Sequence, residues 1–308
     1  VAVTKIAIVG VGKIVRDQHV PALGGNGAFE LAATASPHSA LDGVESHPTL
    51  DALLAARPEV EAVAVCTPPQ VRHAIARTAL LAGKHVLLEK PPGATVAEVE
   101  SLRDLADAQG VSLFATWHSR HAPAVAAAQA WVQDHPLARV EIVWREDVRR
   151  WHPGQAWIWE AGGLGVFDPG INALSIATLI LPPFFITACD LFFPANRQAP
   201  IAAKLAFHLQ GADAMTADFD WRQEGPQTWD IRLEAKDGAH LRLSMGGGEL
   251  EIDGVAIPQG PVREYGAIYD RFAELIAAGT GDVDVRPLVQ VADAFLVGRR
   301  LEVEAFHD

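Results

Sequence analysis

Short apolar runs alternate with helically spaced apolar positions along the first part of the chain. Lys5–Val9, Leu31–Ser36, Ala62–Cys66, His85–Leu88 and Ser112–Thr116 read as strands, and Leu50–Ala56, Val71–Ala82 and Thr95–Gln109 as helices. Thr95 with Glu98 forms a capping-box signature ahead of the last of these. Strand–helix alternation predicts a parallel sheet with helices on both faces. A further helix over Ala122–Asp134 is followed by a different texture. Val140–Trp144, Ile186–Phe193, Lys204–His208, Met215–Trp221, Trp229–Glu234, Leu241–Met245 and Glu249–Ile252 are strand-like. Turn signals at Gly211, Asp237-Gly238 and Gly246-Gly247-Gly248 separate several of them. This predicts a mostly antiparallel second sheet, closed by helices over Glu264–Ala278 and Arg286–Val303. The fold class expected is α/β: a doubly wound parallel sheet, then an α+β domain on a mostly antiparallel open sheet. The domains expected are 1–119 and 120–308, with the junction near 117–121.

Chemistry-bearing residues gather at the ends of the first block's strands, where ligands sit in doubly wound sheets. Gly10-Val11-Gly12 follows the first strand. Its first glycine suits a tight turn, and its second lets the backbone approach a pyrophosphate. The third position of this dinucleotide fingerprint is Val15 rather than Gly or Ala. The first domain is therefore read as a Rossmann dinucleotide-binding domain. An NAD-type site carries a carboxylate at the end of the second strand. Here the segment is Ser36-Pro37-His38-Ser39. Ser36 and His38 are candidate donors to a 2′-phosphate, so NADP is the expected cofactor, with NAD as a possible second. Thr67-Pro68-Pro69 ends the third strand; it serves either as turn chemistry or as a cofactor contact. Glu89-Lys90-Pro91-Pro92 ends the fourth. A lysine beside a positive nicotinamide, partly desolvated, loses proton affinity and can take or share a substrate hydroxyl proton.

The second block offers Glu146, Trp151-His152-Pro153, Trp157, Trp159 and the run Gly162–Asn172. Asp168 and Asn172 are one helical turn apart and would share a face. The structural alternative makes Asp168 an N-cap with Pro169 at the first helical position. Indoles and a histidine beside carboxylates suit a sugar, whose C–H faces pack on rings and whose hydroxyls meet polar edges. His118, His121, His152 and Asp168 lack metal-ligand spacing, so no metal is expected.

Composition narrows the partners. The 308 residues suffice for about two domains on a prior of roughly 150 residues each. A formal net charge of -13 argues against nucleic acid. Two cysteines, Cys66 and Cys189, allow no disulfide framework. The N-terminus runs straight into a strand without a leader pattern. The most apolar window, Ala173–Ala188, is broken by Pro182-Pro183 and falls short of the roughly 20 residues of a span. A cytoplasmic protein without a membrane partner is expected. A homo-oligomer, as a dimer, is also expected, because Phe192, Phe193, Phe207, Phe219 and Trp221 read as one exposed apolar sheet face.

The pattern resembles the glucose–fructose oxidoreductase / inositol dehydrogenase (Gfo/Idh/MocA) family of NAD(P)-dependent enzymes. The resemblance rests on Gly10-Val11-Gly12-Lys13-Ile14, Thr67-Pro68 with His73, Glu89-Lys90-Pro91 and the glycine-rich run into Asp168. Most members carry His where this chain has Asn172. The bacterial L-arabinose / D-galactose 1-dehydrogenases share that Asn. They are also similar over Ala115–Arg120, Glu146–Gln155, Gly165–Asn172 and Asp282–Pro287. The resemblance implies oxidation of an aldose pyranose at C1 to a lactone, in sugar catabolism without phosphorylated intermediates. It implies cofactor contacts from Gly10, Gly12, Lys13, Ile14, Ser36, His38, Thr67, Pro68, His73, Glu89 and Lys90. Lys90, Asp168 and Asn172 would be catalytic. Lys90, Asp168 and Asn172, with His118, Glu146 and His152, would read the sugar, and Trp151, Trp159 and Trp229 would wall the pocket. An inositol-type dehydrogenase or a reductase of the same family, and a non-catalytic NAD(P)-binding regulator, are the alternatives.

Overall fold

A computed structural model describes residues 3–307, which form two compact units. The first runs up to His118 and regains Tyr265–Val285; the second holds Ser119–Glu264 and the chain from Arg286 onward. The division into two contiguous blocks at 119/120 thus omits a return segment. The strands of the first unit are β1 (Thr4–Val9), β2 (Phe29–Ala35), β3 (Ser46–His47), β4 (Ala62–Val65), β5 (His85–Leu88) and β6 (Leu113–Ala115). They form a parallel sheet in the order β3-β2-β1-β4-β5-β6. The helices are α1 (Val20–Gly24), α2 (Leu50–Ala56), α3 (Pro69–Leu81) and α4 (Val96–Gln109). Thr95 caps α4 in the capping box with Glu98.

The apolar runs are continuous because both sheet faces are covered. Ala7, Val9, Val63, Val65, Val86 and Leu88 pack with Leu53, Ala76, Leu80 and Leu102 of α2–α4. Alternate residues Ile6, Ile8, Ala62, Ala64 and Leu87 face the other way, onto Val15, Leu23 and the helix Glu264–Ala278. That helix contributes Tyr265, Ile268, Tyr269, Phe272 and Leu275. Burying Ile268, Phe272 and Leu275 stabilises the unit by about 1.5–3 kcal/mol each. The segment returns because this face would otherwise lie bare.

In the second unit α5 (Val125–Asp134) leads into β7 (Leu137–Arg145), followed by α6 (Val148–Trp151) and α7 (Phe167–Ile180). Then come β8 (Phe184–Pro194), β9 (Ala202–Leu209), β10 (Ala214–Asp220), β11 (Thr228–Ala235), β12 (His240–Ser244), β13 (Glu249–Ile252) and β14 (Val255–Ile257). The helix α8 (Glu264–Ala278) is the one that returns to the first unit; α9 (Arg286–Val297) and β15 (Arg299–Val303) end the fold. The nine strands are ordered β14-β13-β12-β11-β7-β10-β9-β8-β15. Among the described residues of this sheet, only β7–β10 and β8–β15 are parallel pairs.

Two expectations are corrected here. The last helix stops at Val297, and residues 299–303 become an edge strand on β8. A helical pattern that continues past Gly298 does not reveal a parallel partner about a hundred residues earlier. The aromatic face is also the covered one. Phe193, Phe207, Phe219 and Trp221 are buried, and Phe192 is half-buried. Phe219 meets Phe167 of α7 edge-on at 5.8 Å, and a Cβ on Gly170 would come within 2.8 Å of the Phe219 ring. The outward face carries cross-strand ion pairs instead: Arg299–Asp190, Arg145–Asp218, Arg232–Glu141 and Arg242–Asp230. The apolar surface expected to drive self-association is therefore core. No helix among the described residues is long and apolar enough to cross a membrane.

Candidate active site

The glycine turn leaves β1 through Gly10, whose φ of 89° is a left-handed conformation that favours glycine. A Cβ there would lie 2.9 Å from Thr67 Cγ2, whereas one on Gly12 would meet nothing within 4 Å. The first glycine serves close packing between loops, and the second leaves an open approach. Gly12, Lys13 and Ile14 are all exposed, and the Lys13 ammonium pairs with Asp17. Thr67 Oγ1 is buried beside the turn without a hydrogen-bond partner. Pro68 is the N-cap of α3, and Pro69 takes its first position.

The loop after β2 turns back to the glycines. Ser39 Oγ donates to Val11 O at 2.7 Å and lies 3.2 Å from Ser36 Oγ. His38 is exposed. Arg16 donates to Ala40 O at 2.8 Å, which brings a guanidinium to this loop. Neither Ser39 nor Arg16 was singled out by the sequence. His73 faces α4, with Nε2 3.0 Å from Ser101 Oγ. Its neighbour Arg72 holds the central position: buried, it donates to the carbonyls of Thr67, Glu89 and Pro91.

Glu89 and Lys90 follow β5, and the Lys90–Pro91 peptide is cis. Glu89 is only 4% exposed. Its Oε1 accepts from Tyr265 Oη at 2.7 Å and lies 2.9 Å from His19 Nε2; its Oε2 accepts from the Lys90 N–H at 2.8 Å. Burial pushes this carboxyl up, but the bond and charge of His19, with His118 and Tyr265, overcome it and hold it far below the usual range. His118 stacks on Tyr265, with ring centroids 5.6 Å apart.

In the second unit, Asp168 lies in the first turn of α7 and is 2% exposed. The N-cap is Val166, so Asp168 is not the cap. Its carboxylate pairs with His152 Nε2 at 3.2 Å. Asn172, one turn on, is half-buried on the same side of the helix. Glu146 accepts from the indoles of Trp221 at 3.2 Å and Trp229 at 2.9 Å. Trp221 also contacts the His152 ring, and Trp151 tilts against Trp229. Glu146, Trp151, His152, Asp168 and Trp229 thus form one connected cluster. Trp159 is buried between Trp221, Phe306 and the Arg197 guanidinium. The indole nitrogens of Trp151 and Trp159 are buried without a partner. The glycine run before α7 is steric in origin: a Cβ on Gly163 would lie 2.0 Å from Trp157 O.

Residues 4–116 match the model of an oxidoreductase family with an NAD-binding Rossmann fold, GFO_IDH_MocA. The chain is 47% identical over 307 residues to a galactose 1-dehydrogenase of Pseudomonas fluorescens, covering 99% of both chains. The chain belongs to the GFO_IDH_MocA oxidoreductase family. Among solved structures, a D-galactose-1-dehydrogenase protein from Rhizobium etli superposes with a TM-score of 0.94 at 56% identity. That match covers 100% of this chain and 99% of the other. A 3-ketoreductase of Actinomadura kijaniata, in complex with NADP and TDP-benzene, superposes with a TM-score of 0.83 at 18% identity, covering 98% of this chain and 100% of the other. At that identity it shows the fold alone. The NAD(P) cofactor of the family fits the residues present. The open approach over Gly12 admits a pyrophosphate, and the orphan Thr67 hydroxyl supplies a donor beside it.

Proposed function

We propose that this protein is an aldose 1-dehydrogenase that oxidises D-galactose, and L-arabinose with it, at C1 of the pyranose to the aldonolactone. The observation that carries this reading is near-complete alignment at 47% identity with a galactose 1-dehydrogenase. The dinucleotide belongs to the first unit and the sugar to the second. A dinucleotide held by the first unit would supply the hydride acceptor for the hydrogen on C1. The C1 hydroxyl proton passes to this chain's own groups. Lys90 and Asp168 handle it, and Asn172 orients the hydroxyl. His152, against Asp168, can carry the charge that a proton on the pair creates. Glu146, His118 and His152 read the remaining hydroxyls, with Trp151 and Trp229 as walls. Trp159, packed beneath Arg197, supports the wall from behind.

The deciding experiment follows NAD(P)H absorbance with L-arabinose, D-galactose and D-glucose. L-Arabinose and D-galactose share ring configuration, and glucose differs from galactose at C4. A polar site that pairs with the C4 hydroxyl leaves its own groups unpaired when that hydroxyl points away. kcat/KM for glucose should therefore fall about 100-fold or more below that for galactose. Equal use of glucose would remove the ring-reading assignment.

NADP is proposed as the preferred cofactor. The segment Ser36-Pro37-His38-Ser39 directly after β2 offers Ser36 and His38 as donors and no carboxylate, and the Arg16 guanidinium reaches Ala40 next to it. Ser36→Asp should shift the kcat/KM ratio about tenfold or more toward NAD, because a carboxylate repels the 2′-phosphate and suits a ribose hydroxyl. An unchanged ratio would place the phosphate elsewhere.

A further inference from the structure

We propose that Glu89 is a positioning residue for Lys90, set by His19 and Tyr265 in a buried network that links the glycine turn to the lysine. This rests on the reading of Lys90 as a proton-handling group. Gly10-Val11-Gly12 runs into a π-helical turn, Val15–His19, before α1. Such wide turns mark functional sites more often than ordinary helix does. This one turns His19 fully inward. His19 Nδ1 lies 2.7 Å from Tyr269 Oη, and its Nε2 lies 2.9 Å from Glu89 Oε1. The other Glu89 oxygen takes the backbone N–H of Lys90. Arg72 grips the chain on either side, at the carbonyls of Glu89 and Pro91. The lysine backbone is therefore held through both its amide and its flanking carbonyls.

Stability does not require this arrangement. A buried ion pair in an apolar cluster can often be replaced by packed apolar residues with no loss, or with a gain. Here the surroundings are Ile8, Ala64, Leu87 and Phe114, an apolar core able to take such residues. The groups that face the pair are Cys66 after β4, Tyr265 and Tyr269 on α8, and His118. Burial opposes charge on His19, yet Cys66, Tyr269 and Glu89 together raise its proton affinity well above the ordinary value. What the network contributes to Lys90 is direction, because the Glu89 carboxylate it holds accepts the lysine's backbone N–H. Lysine has a long, flexible stem, so aiming its ammonium begins with a fixed main chain. A misplacement of about 1 Å at a reacting group can cost about 100-fold in rate.

The test uses the full-length enzyme with galactose. Glu89→Gln keeps the shape and exchanges one acceptor for a donor. Its kcat per cofactor-binding site should fall roughly 10- to 100-fold, with KM and the NADPH Kd held within about twofold. Tyr265→Phe removes one hydroxyl while keeping the ring on His118, and should show the same split at about 3- to 10-fold. It keeps the proposal open to refutation should Glu89→Gln fail to fold. In a Lys90→Met background either change should cost little further, because a residue acting through the lysine has nothing left to position. Full kcat in both variants would overturn the assignment. So would KM and Kd rising in step with the loss, or an equal penalty in the Lys90→Met background. A wild type that does not oxidise galactose would overturn the functional reading and this inference together. A wild type that does, with unaffected variants, would overturn this inference alone.

Discussion

Lys90→Met is expected to lower kcat on galactose about a thousandfold, within the roughly 100- to 10,000-fold range of positioned proton transfer. The NADPH Kd should stay within about twofold, since dinucleotide affinity comes mainly from backbone donors and the open glycine approach. Methionine retains an unbranched stem of similar length but has no site for a proton. The position supports the size of the effect. Lys90 leaves β5 at the carboxyl end of the parallel sheet, the end at which doubly wound folds bind their ligands. Its main chain is gripped by Glu89 and Arg72. Steady-state rates at the reduced-nicotinamide absorbance band, with cofactor binding followed by quenching of indole fluorescence, give both quantities. Turnover near that of the wild type would remove the lysine from the mechanism.

Asp168→Asn should reduce kcat by about 100-fold or more while the protein stays folded. Asparagine fills the same volume and its carbonyl can still accept from His152, so the geometry of the pair survives. What is lost is a group that can take a proton and offset charge on the imidazole. Asp168 also lies in the first turn of α7, where a carboxylate is stabilised by the helix N-terminus by about 0.3–1 kcal/mol, up to about 2 when partly buried. The melting temperature should fall only slightly. A variant within about threefold of wild-type kcat would show that Asp168 is structural.

Much of the first unit was legible because its signals are local. The capping box at Thr95, the glycine turn and Glu89-Lys90-Pro91 each depend on a few consecutive residues. Asp168 and Asn172 were legible as a helical pair for the same reason. Long-range partners were not. His19 and Tyr265 are 246 positions apart, and no period connects them; only the fold brings both to Glu89. Arg72 was overlooked beside His73 because a charged residue in an amphipathic helix reads as solvated. Here three backbone carbonyls draw it inward. The alternation in β8–β10 revealed that two faces exist but not which would be covered. That is decided by α7, whose small Gly170 lets it settle onto Phe219.

The return of α8 has a bearing on how this chain can be recombined. A cofactor-binding module excised as residues 1–119 would leave Phe29, Phe114 and one whole side of the β-sheet without the aromatic stack of Tyr269 and Phe272. It would also strip Glu89 of its tyrosine donor. A chimaera that exchanges dinucleotide preference between relatives must therefore carry Tyr265–Val285 as a second, separately spliced insert. Inheritance at the two ends of this enzyme is coupled: the nucleotide-binding half cannot be traded as a single contiguous cassette.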